Sequence, residues 1–249
     1  MKVLSIGNSF SEDAQRWLHD ISLCGDTKID TANLMIGGCT LETHVCCIVN
    51  RKPDYILQGN GLERIGTTTA NEVIEGERFD AVTVQQASGF SGRPQSYVPY
   101  LANLVSYVKR HQPKAKIYFH KTWSYETDSD HGAFASYGND QKEMLRRISD
   151  CAETAEKLVN IPVIPVGDFI QYLRDNTDEF NYKNGGLSLC RDGFHLSYDY
   201  GRFAAAAVWY KEFTGQGVNT GQFLKDKPDF DEKLVKVITE NLEEFWRKR

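Results

Sequence analysis

The chain has 249 residues, of which 41% are hydrophobic and 25% are charged, a composition that excludes disordered and collagen-like proteins. Its 29 basic and 34 acidic residues give a net charge of −5, which argues against the basic face that nucleic-acid binding requires. No apolar run approaches the ~18 residues of a membrane-spanning helix, so we expect no membrane association.

Short apolar runs and amphipathic stretches alternate along the chain, with periods of two and 3.6 residues respectively. In chain order, the pattern predicts strand 2–6, helix 12–23, strand 28–35, hairpin 55–69, strand 79–84, helix 97–111, strand 116–122, helix 141–159, strand 161–166, helix 197–213 and helix 231–246. The hairpin is indicated by Gly59-Asn60-Gly61 between two short β-type runs.

This alternation of strands and helices predicts a three-layer α/β/α fold of the flavodoxin type. Successive βαβ units give a mostly parallel sheet with helices on both faces. No repeat or change of composition divides the chain, so we expect a single domain over residues 1–249. The hairpin at about residues 54–69 is interpreted as a small insertion outside the sheet. In such folds, ligands bind at the carboxyl ends of the strands.

The N-terminus and the cysteines bear on the cellular compartment. The apolar stretch after Met1-Lys2 is too short for a signal peptide, so we expect a cytoplasmic protein unless a leader has been removed. None of the six cysteines (Cys24, Cys39, Cys46, Cys47, Cys151 and Cys190) forms a CxxC pair. We therefore expect free thiols, no metal site and no cofactor, although three disulfides would be chemically possible.

Two loops at opposite ends of the chain carry residues suited to nucleophilic catalysis. Ser9 follows Gly7 at a predicted strand-to-helix turn, where helix N–H groups favour developing negative charge. The alternative is that Ser9 or Ser11 only caps the helix. Asp192 and His195 share one loop near the C-terminus, where the carboxylate could orient an imidazole base. A purely structural turn would also explain the second loop.

Taken together, these blocks resemble those of SGNH (GDSL-type) hydrolases. Gly7-Asn8-Ser9-Phe10 matches the first family block and places the chain nearest a GNSF-type branch of uncharacterised bacterial proteins. Gly37-Gly38 matches the block whose glycine N–H lines the oxyanion hole, and Asp192-Gly193-Phe194-His195 matches the last block. The resemblance spans residues 3 to about 213. It implies Ser9 as nucleophile, His195 as base and Asp192 as its orienting acid.

The chain departs from the family pattern at two positions. Asn8 stands where the family usually has aspartate, and the block that normally supplies an oxyanion-hole asparagine is absent. Strand 79–84 is followed instead by Gln85-Gln86-Ala87-Ser88, and a glutamine amide is an equivalent donor. Carbohydrate O-acetylesterase branches resemble this arrangement. The predicted oxyanion hole therefore comprises the Ser9 and Gly38 N–H groups and the Gln85 amide, with Gln86 as the substitute.

Several further residues have a structural explanation beside a functional one. Gln86, Ser88 and Trp123 lie on the ligand side and are predicted to contact substrate, although Trp123 fits a core position equally well. The polar segment 124–139 is interpreted as a long loop near the site, and a lid over the site is one interpretation of this loop. His131 in that segment is expected to be solvated, His120 to be a core residue, and His44, Cys46 and Cys47 to serve packing or surface.

The function that these residues and the resemblance imply is a serine esterase acting on a small acyl ester, with an O-acetylated carbohydrate as the favoured substrate. The enzymatic alternative is a lipase- or thioesterase-like hydrolase for longer acyl chains. A further alternative is a binding module that keeps the sugar site without turnover. The sequence leaves the natural substrate and the oligomeric state open.

Overall fold

The computed structural model describes all 249 residues, and its centre is a single seven-stranded sheet. The strands are β1 (Lys2–Gly7), β2 (Asp30–Met35), β3 (Tyr55–Gln58), β4 (Arg64–Thr68), β5 (Ala81–Val84), β6 (Lys116–His120) and β7 (Val163–Ile164). Their order across the sheet is β4-β3-β2-β1-β5-β6-β7. The five strands β2-β1-β5-β6-β7 are parallel, in the flavodoxin-like order. The predicted fold class is confirmed.

Helices cover both faces of the sheet. They are α1 (Ser9–Gln15), α2 (Leu18–Leu23), α3 (Leu41–Val49), α4 (Ala70–Gly76), α5 (Tyr100–His111), α6 (Gln141–Val159), α7 (Val166–Asn176), α8 (Tyr200–Thr214), α9 (Thr220–Asp226) and α10 (Glu232–Lys248). Side chains alternate along each strand, so Val3 packs into one core with α1, α2, α7, α8 and α10. Leu4 and Ile6 pack into the other with α3, α4 and α5, while α6 contributes to both.

The β3–β4 hairpin belongs to the sheet, and the expectation that it lies outside was wrong. β3 pairs antiparallel with β2, with Leu57 opposite Leu34, and β4 pairs with β3. Tyr55 anchors the hairpin, because it is fully buried in the core that contains Leu4 and Ile6 and its ring stacks on His44 of α3. The hairpin therefore extends the parallel sheet by two antiparallel strands.

Several helix boundaries differ from the sequence prediction. The helix predicted over residues 12–23 is two helices, α1 and α2, with a break at Arg16 and Trp17. α3, α4, α7 and α9 were not predicted, and the strand predicted over 161–166 is only the short β7, since α7 begins at Val166. By contrast, the helix predicted over 141–159 has the same ends as α6, whose N-cap Asp140 accepts hydrogen bonds from Lys142 N and Glu143 N.

All six cysteines are unpaired, and Cys46 is the exposed one. None of the helices combines the length and the apolar character needed to cross a bilayer.

Candidate active site

Ser9 lies where β1 turns sharply into α1. The N-cap residue Asn8 is buried, and its side-chain oxygen accepts a hydrogen bond from Phe10 N at 3.0 Å. A Cβ at Gly7 would come within 2.5 Å of Ser11 Oγ, so the turn requires glycine there. Ser9 is the first helical residue and is half-buried, and Asn8 rather than Ser9 caps the helix. Its hydroxyl is therefore free for another partner.

That partner is His195, 186 positions later in the chain. His195 Nε2 lies 2.8 Å from Ser9 Oγ, and His195 Nδ1 lies 2.7 Å from Asp192 Oδ2. With Nδ1–H donating to the carboxylate, Nε2 is free to accept the Ser9 proton. The structure brings these three side chains together, and their roles in a reaction stay a prediction.

Asp192 is held as a charged acceptor by its own loop. Partial burial works to raise the pKa of Asp192, but hydrogen bonds from the His195 side chain, His195 N and Phe194 N outweigh it, and the pKa is lowered. The two backbone donors lie 2.7 Å and 3.2 Å from Asp192 Oδ1. One carboxylate oxygen thus shapes the loop while the other orients the imidazole.

A buried carboxylate that the sequence analysis did not single out connects α1 to this loop. Asp13 is fully buried and accepts hydrogen bonds from Leu196 N at 2.8 Å, Arg202 Nε at 2.7 Å and Arg191 Nη1 at 3.0 Å. Burial works to raise its pKa and the two arginines to lower it, and burial prevails. Asp13 lies four residues after Ser9 and its partner Leu196 follows His195, so this cluster sets the distance between the two loops.

Two backbone N–H groups near Ser9 have no acceptor within the protein. Neither Ser9 N nor Gly38 N donates a hydrogen bond to any protein atom. Gly38 has a φ of 64°, a conformation that favours glycine, and an added Cβ there would meet nothing within 4 Å. Asn8 Nδ2 donates to Cys39 O at 3.0 Å and ties the two turns together. The arrangement offers two free donors beside open space.

Gln85 occupies a different position from the one predicted. Its side chain is buried, with Nε2 donating to Asn8 Oδ1 at 2.7 Å and Oε1 lying 2.9 Å from His120 Nδ1. His120 is also buried, and burial lowers its pKa to about 3, so its neutral ring donates to Gln85 through Nδ1–H. The Gln85 amide thus orients the side chain of Asn8 and is not available as a donor to an oxyanion.

Gln86 and Ser88 are likewise engaged by the protein. Gln86 is buried, its Oε1 accepts from Leu41 N at 3.1 Å, and its Nε2 donates to Ser96 O at 2.9 Å. Ser88 is buried and its hydroxyl lies 2.8 Å from Tyr125 OH. The predicted substrate contact of Gln86 is contradicted by this full engagement, and Ser88 points into the protein. Both residues connect the loop after β5 to neighbouring segments of the chain.

Trp123 is a core residue, contrary to its predicted contact with substrate. It is fully buried, stacks on Phe10 with ring centroids 4.1 Å apart, and donates from Nε1 to Phe194 O at 2.7 Å. It thereby connects the residue after Ser9 with the residue before His195. From the sequence, an indole at the end of an apolar strand could contact substrate or belong to the core. The packing of Phe10 from α1 against Trp123 assigns it to the core.

The segment 124–139 is anchored rather than lid-like. Tyr125, Phe134 and Tyr137 along it are buried, and Tyr137 OH donates to Gly89 O at 3.1 Å. His131 lies between aromatic rings, with its centroid 4.6 Å from that of Phe194. His44 is buried and bonded to Tyr55 OH at 2.9 Å, in keeping with the predicted packing role.

Comparison with known proteins identifies the family. A model of DUF4886, a domain of unknown function, matches residues 2–238. The chain belongs to the DUF4886 family. A solved DUF4886 protein from Bacteroides uniformis is 32% identical, with a TM-score of 0.85 over 97% of this chain and 92% of that one. No curated protein matches the chain.

The DUF4886 chain also has the fold of the SGNH hydrolases. A protein from Slackia heliotrinireducens assigned to that group has a TM-score of 0.58 at 19% identity, over 86% of this chain and 98% of that one. An acetyl xylan esterase has a TM-score of 0.51 at 16% identity, over 84% and 98%. The resemblance stated from the sequence motifs is therefore confirmed at the level of the fold.

Proposed function

We propose that this DUF4886 protein is a serine esterase that hydrolyses small acyl esters, with an O-acetyl group on a carbohydrate as the favoured substrate. The observation that carries the proposal is the continuous hydrogen-bonded series from Ser9 Oγ through His195 to Asp192, at 2.8 Å and 2.7 Å. A nucleophile, its base and the group that orients the base are the parts required for acyl transfer.

The reaction follows from these contacts. Ser9 Oγ attacks the ester carbonyl while His195 Nε2 takes the hydroxyl proton, and Asp192 stabilises the imidazolium that forms. The negative oxygen of the tetrahedral intermediate accepts hydrogen bonds from Ser9 N–H and Gly38 N–H, the two free donors. Collapse breaks the ester bond, and the leaving alcohol receives the proton from His195. Water then releases the acid from Ser9 by the same sequence of steps.

The surroundings of Ser9 favour a short acyl group. Five of the ten cavities on the protein surface have volumes of 440, 330, 400, 280 and 300 Å³, and none of these five is lined by Ser9 or His195. None of these five cavities would bury the methylene groups of a long alkyl chain esterified to Ser9. The acetyl xylan esterase among the structural neighbours gives independent support for an acetyl ester on a sugar.

A chain-length profile with aryl acetate, butyrate and octanoate tests the proposal. We expect kcat/KM to be highest for acetate and lowest for octanoate. Highest activity with octanoate would favour a lipase- or thioesterase-like enzyme, and no turnover of any ester would favour a binding module without catalysis.

The matched variant is Ser9→Ala. Since the hydroxyl is the nucleophile and not the helix cap, we expect loss of activity by at least ~10³-fold with a melting temperature close to that of the parent. A melting temperature lowered by many degrees would mean that Ser9 is mainly a structural residue.

A further inference from the structure

The largest of these cavities, 440 Å³, lies beside the N-terminus of α6 and apart from Ser9. Twelve residues line it, in segments 126–127, 139–142, 174–175 and 181–184, and eleven of them are not hydrophobic. Neither the SGNH motifs nor the proposed reaction uses any of them. We call this cavity the polar cleft.

The floor of the polar cleft is rigid. Arg174 and Glu126 form an ion pair at 3.2 Å between side chains that are only 4% and 3% exposed. Gln141 Nε2 donates to Glu126 Oε1 and to Tyr125 O, both at 2.9 Å. Because the ion pair and these hydrogen bonds hold Glu126, Gln141 and Arg174 against one another, the floor is organised before any ligand arrives.

The rim of the polar cleft, in contrast, carries uncommitted hydrogen-bonding groups. The side chains of Asn139, Asn181 and Asn184 line the cleft and make no hydrogen bond to the protein. Each amide offers both donors and an acceptor, the combination that adjacent sugar hydroxyls can satisfy. Tyr182 is 37% exposed, and its hydroxyl donates to Asp128 Oδ2 at 2.7 Å, which fixes the ring as a flat apolar surface.

The charges of the polar cleft cancel. Its three carboxylates are matched by three basic side chains: Glu126, Asp140 and Asp175 against Lys142, Arg174 and Lys183. Arg174 is paired with Glu126 at 3.2 Å, and Lys142 Nζ lies 3.5 Å from Asp175 Oδ1. A phosphate or a cation would find no net opposite charge, so a neutral ligand rich in hydroxyl groups fits best.

A second cavity connects the polar cleft to the Asp192 loop. This cavity of 300 Å³ is also lined by Tyr182, together with Asp128, Asp192 and Gly193. Glu126 N donates to Gly193 O at 2.7 Å, so the floor of the cleft and the loop that carries His195 are directly joined. A ligand several units long can therefore extend from the neighbourhood of the reactive serine along this surface.

We propose that the polar cleft binds a neutral oligosaccharide segment of the ester substrate, distant from the acyl group that reacts with Ser9. Tyr182 provides the stacking surface for one sugar ring, and the amides of Asn181 and Asn184 bind its hydroxyls. This inference rests on the proposed function, because it takes the alcohol part of the ester to be a carbohydrate chain.

The test measures binding without turnover. The Ser9→Ala protein is titrated with xylohexaose, cellohexaose and chitohexaose by isothermal titration calorimetry, since none of these probes carries an acyl ester. We expect at least one hexasaccharide to bind. Adding Tyr182→Ala should weaken that binding about tenfold, and Asn184→Ala should weaken it about threefold. Tyr182→Phe should weaken it less than Tyr182→Ala, because the ring remains although its hydrogen bond to Asp128 is lost.

The matched control is Asn103→Ala, which removes an exposed amide from a different cavity, and it should leave binding unchanged. Failure of all three hexasaccharides to bind, or binding that the cleft variants leave unaltered, overturns the inference. Failure of the proposed function is separately visible as an absence of turnover of every aryl ester by the parent protein.

Discussion

At the scale of single residues, the imidazole of His195 depends on one carboxylate for its orientation. Asp192→Asn would place an amide opposite Nδ1 and favour the tautomer in which Nε2 carries the proton. We expect kcat for an aryl acetate to fall by about 10²–10⁴-fold with KM nearly unchanged. Steady-state kinetics measure both constants, and Asp229→Asn, at an exposed carboxylate outside the site and its cavities, serves as the control. A change in kcat of less than threefold would contradict the orienting role.

The same substitution has a pH-dependent effect on stability. The folded-state pKa of Asp192 is lowered, so the charged carboxylate stabilises the fold above the ordinary aspartate pKa, and this contribution is lost as the pH falls through the lowered value. The stability difference between parent and Asp192→Asn should accordingly be present at pH 7 and shrink below about pH 4. Urea denaturation at several pH values measures it. A difference that grows in acid would reverse the assigned direction.

Gln85 acts through Asn8, and its removal should therefore affect the rate more than substrate binding. Gln85→Ala takes away the 2.7 Å contact that orients Asn8, whose own amide ties the Ser9 turn to Cys39. We expect kcat to fall by ~10-fold, less than the ~10²-fold for loss of a direct oxyanion donor, with KM little changed.

Gln112→Ala is the matched control for Gln85→Ala. Gln112 is also buried and forms hydrogen bonds through both ends of its amide: Nε2 donates to Glu77 O at 2.7 Å, and Oε1 accepts from Phe79 N at 3.2 Å. Its partners Glu77 and Phe79 immediately precede β5, whereas Gln85 follows that strand, so loss of the Gln112 amide should lower stability without lowering kcat. Equal losses of kcat in the two variants would mean that Gln85 acts only through general stability.

At the scale of secondary-structure elements, Asp13 joins α1, α8 and the His195 loop. Asp13→Asn leaves Arg191 and Arg202 without their buried carboxylate, and we expect the free energy of unfolding to fall by about 3 kcal/mol. Chemical denaturation measures the loss. Glu77→Gln, which removes an ion pair between half-exposed side chains, should cost less than about 1 kcal/mol. Comparable losses would argue against a special role for Asp13.

The elements that could be predicted from the sequence are those with a local signal. The helix over Gln141–Val159 combines an amphipathic pattern with Asp140 as its N-cap, and its ends were predicted correctly. α7 was missed because Gln171 and Arg174 are buried on it, which obscures the apolar face that marks a helix. The hairpin was misplaced because pairing with β2 is a long-range contact that no local pattern encodes.

The same distinction between local signals and long-range contacts applies to the residues of the candidate site. Ser9, Asp192 and His195 were identified because their residue types and spacing carry the chemistry, whereas Gln85 and Trp123 were placed by their distance from a strand end. The direction of a side chain beyond the last strand residue depends on what packs around it. Here Asn8 and His120 hold Gln85, and Phe10 covers Trp123. Those contacts come from segments remote in sequence.

At the scale of the whole molecule, α10 completes one of the two cores. Val235, Ile238 and Leu242 on its inner face are buried against α7 and α8. Burying each such side chain contributes about 1.5–3 kcal/mol, against a typical total stability of 5–15 kcal/mol. Removal of residues 232–249 should therefore give a protein that does not unfold cooperatively, as measured by thermal denaturation.

Removal of residues 247–249 alone is the control, because it deletes surface contacts such as the ion pair of Arg249 with Glu212. We expect its melting temperature to stay within a few degrees of that of the parent. A cooperative transition in the longer deletion would show that the core closes without α10.

The 186 positions between Ser9 and His195 also determine when the proposed activity could arise during synthesis. A ribosome exposes Ser9 186 positions ahead of His195, so the proposed nucleophile lacks its proposed base while that part of the chain is synthesised. Bringing the two together must await pairing of the central strands, and contacts so remote in sequence form slowly. Under the proposed function, the appearance of esterase turnover would therefore report completion of the fold from the reaction product alone.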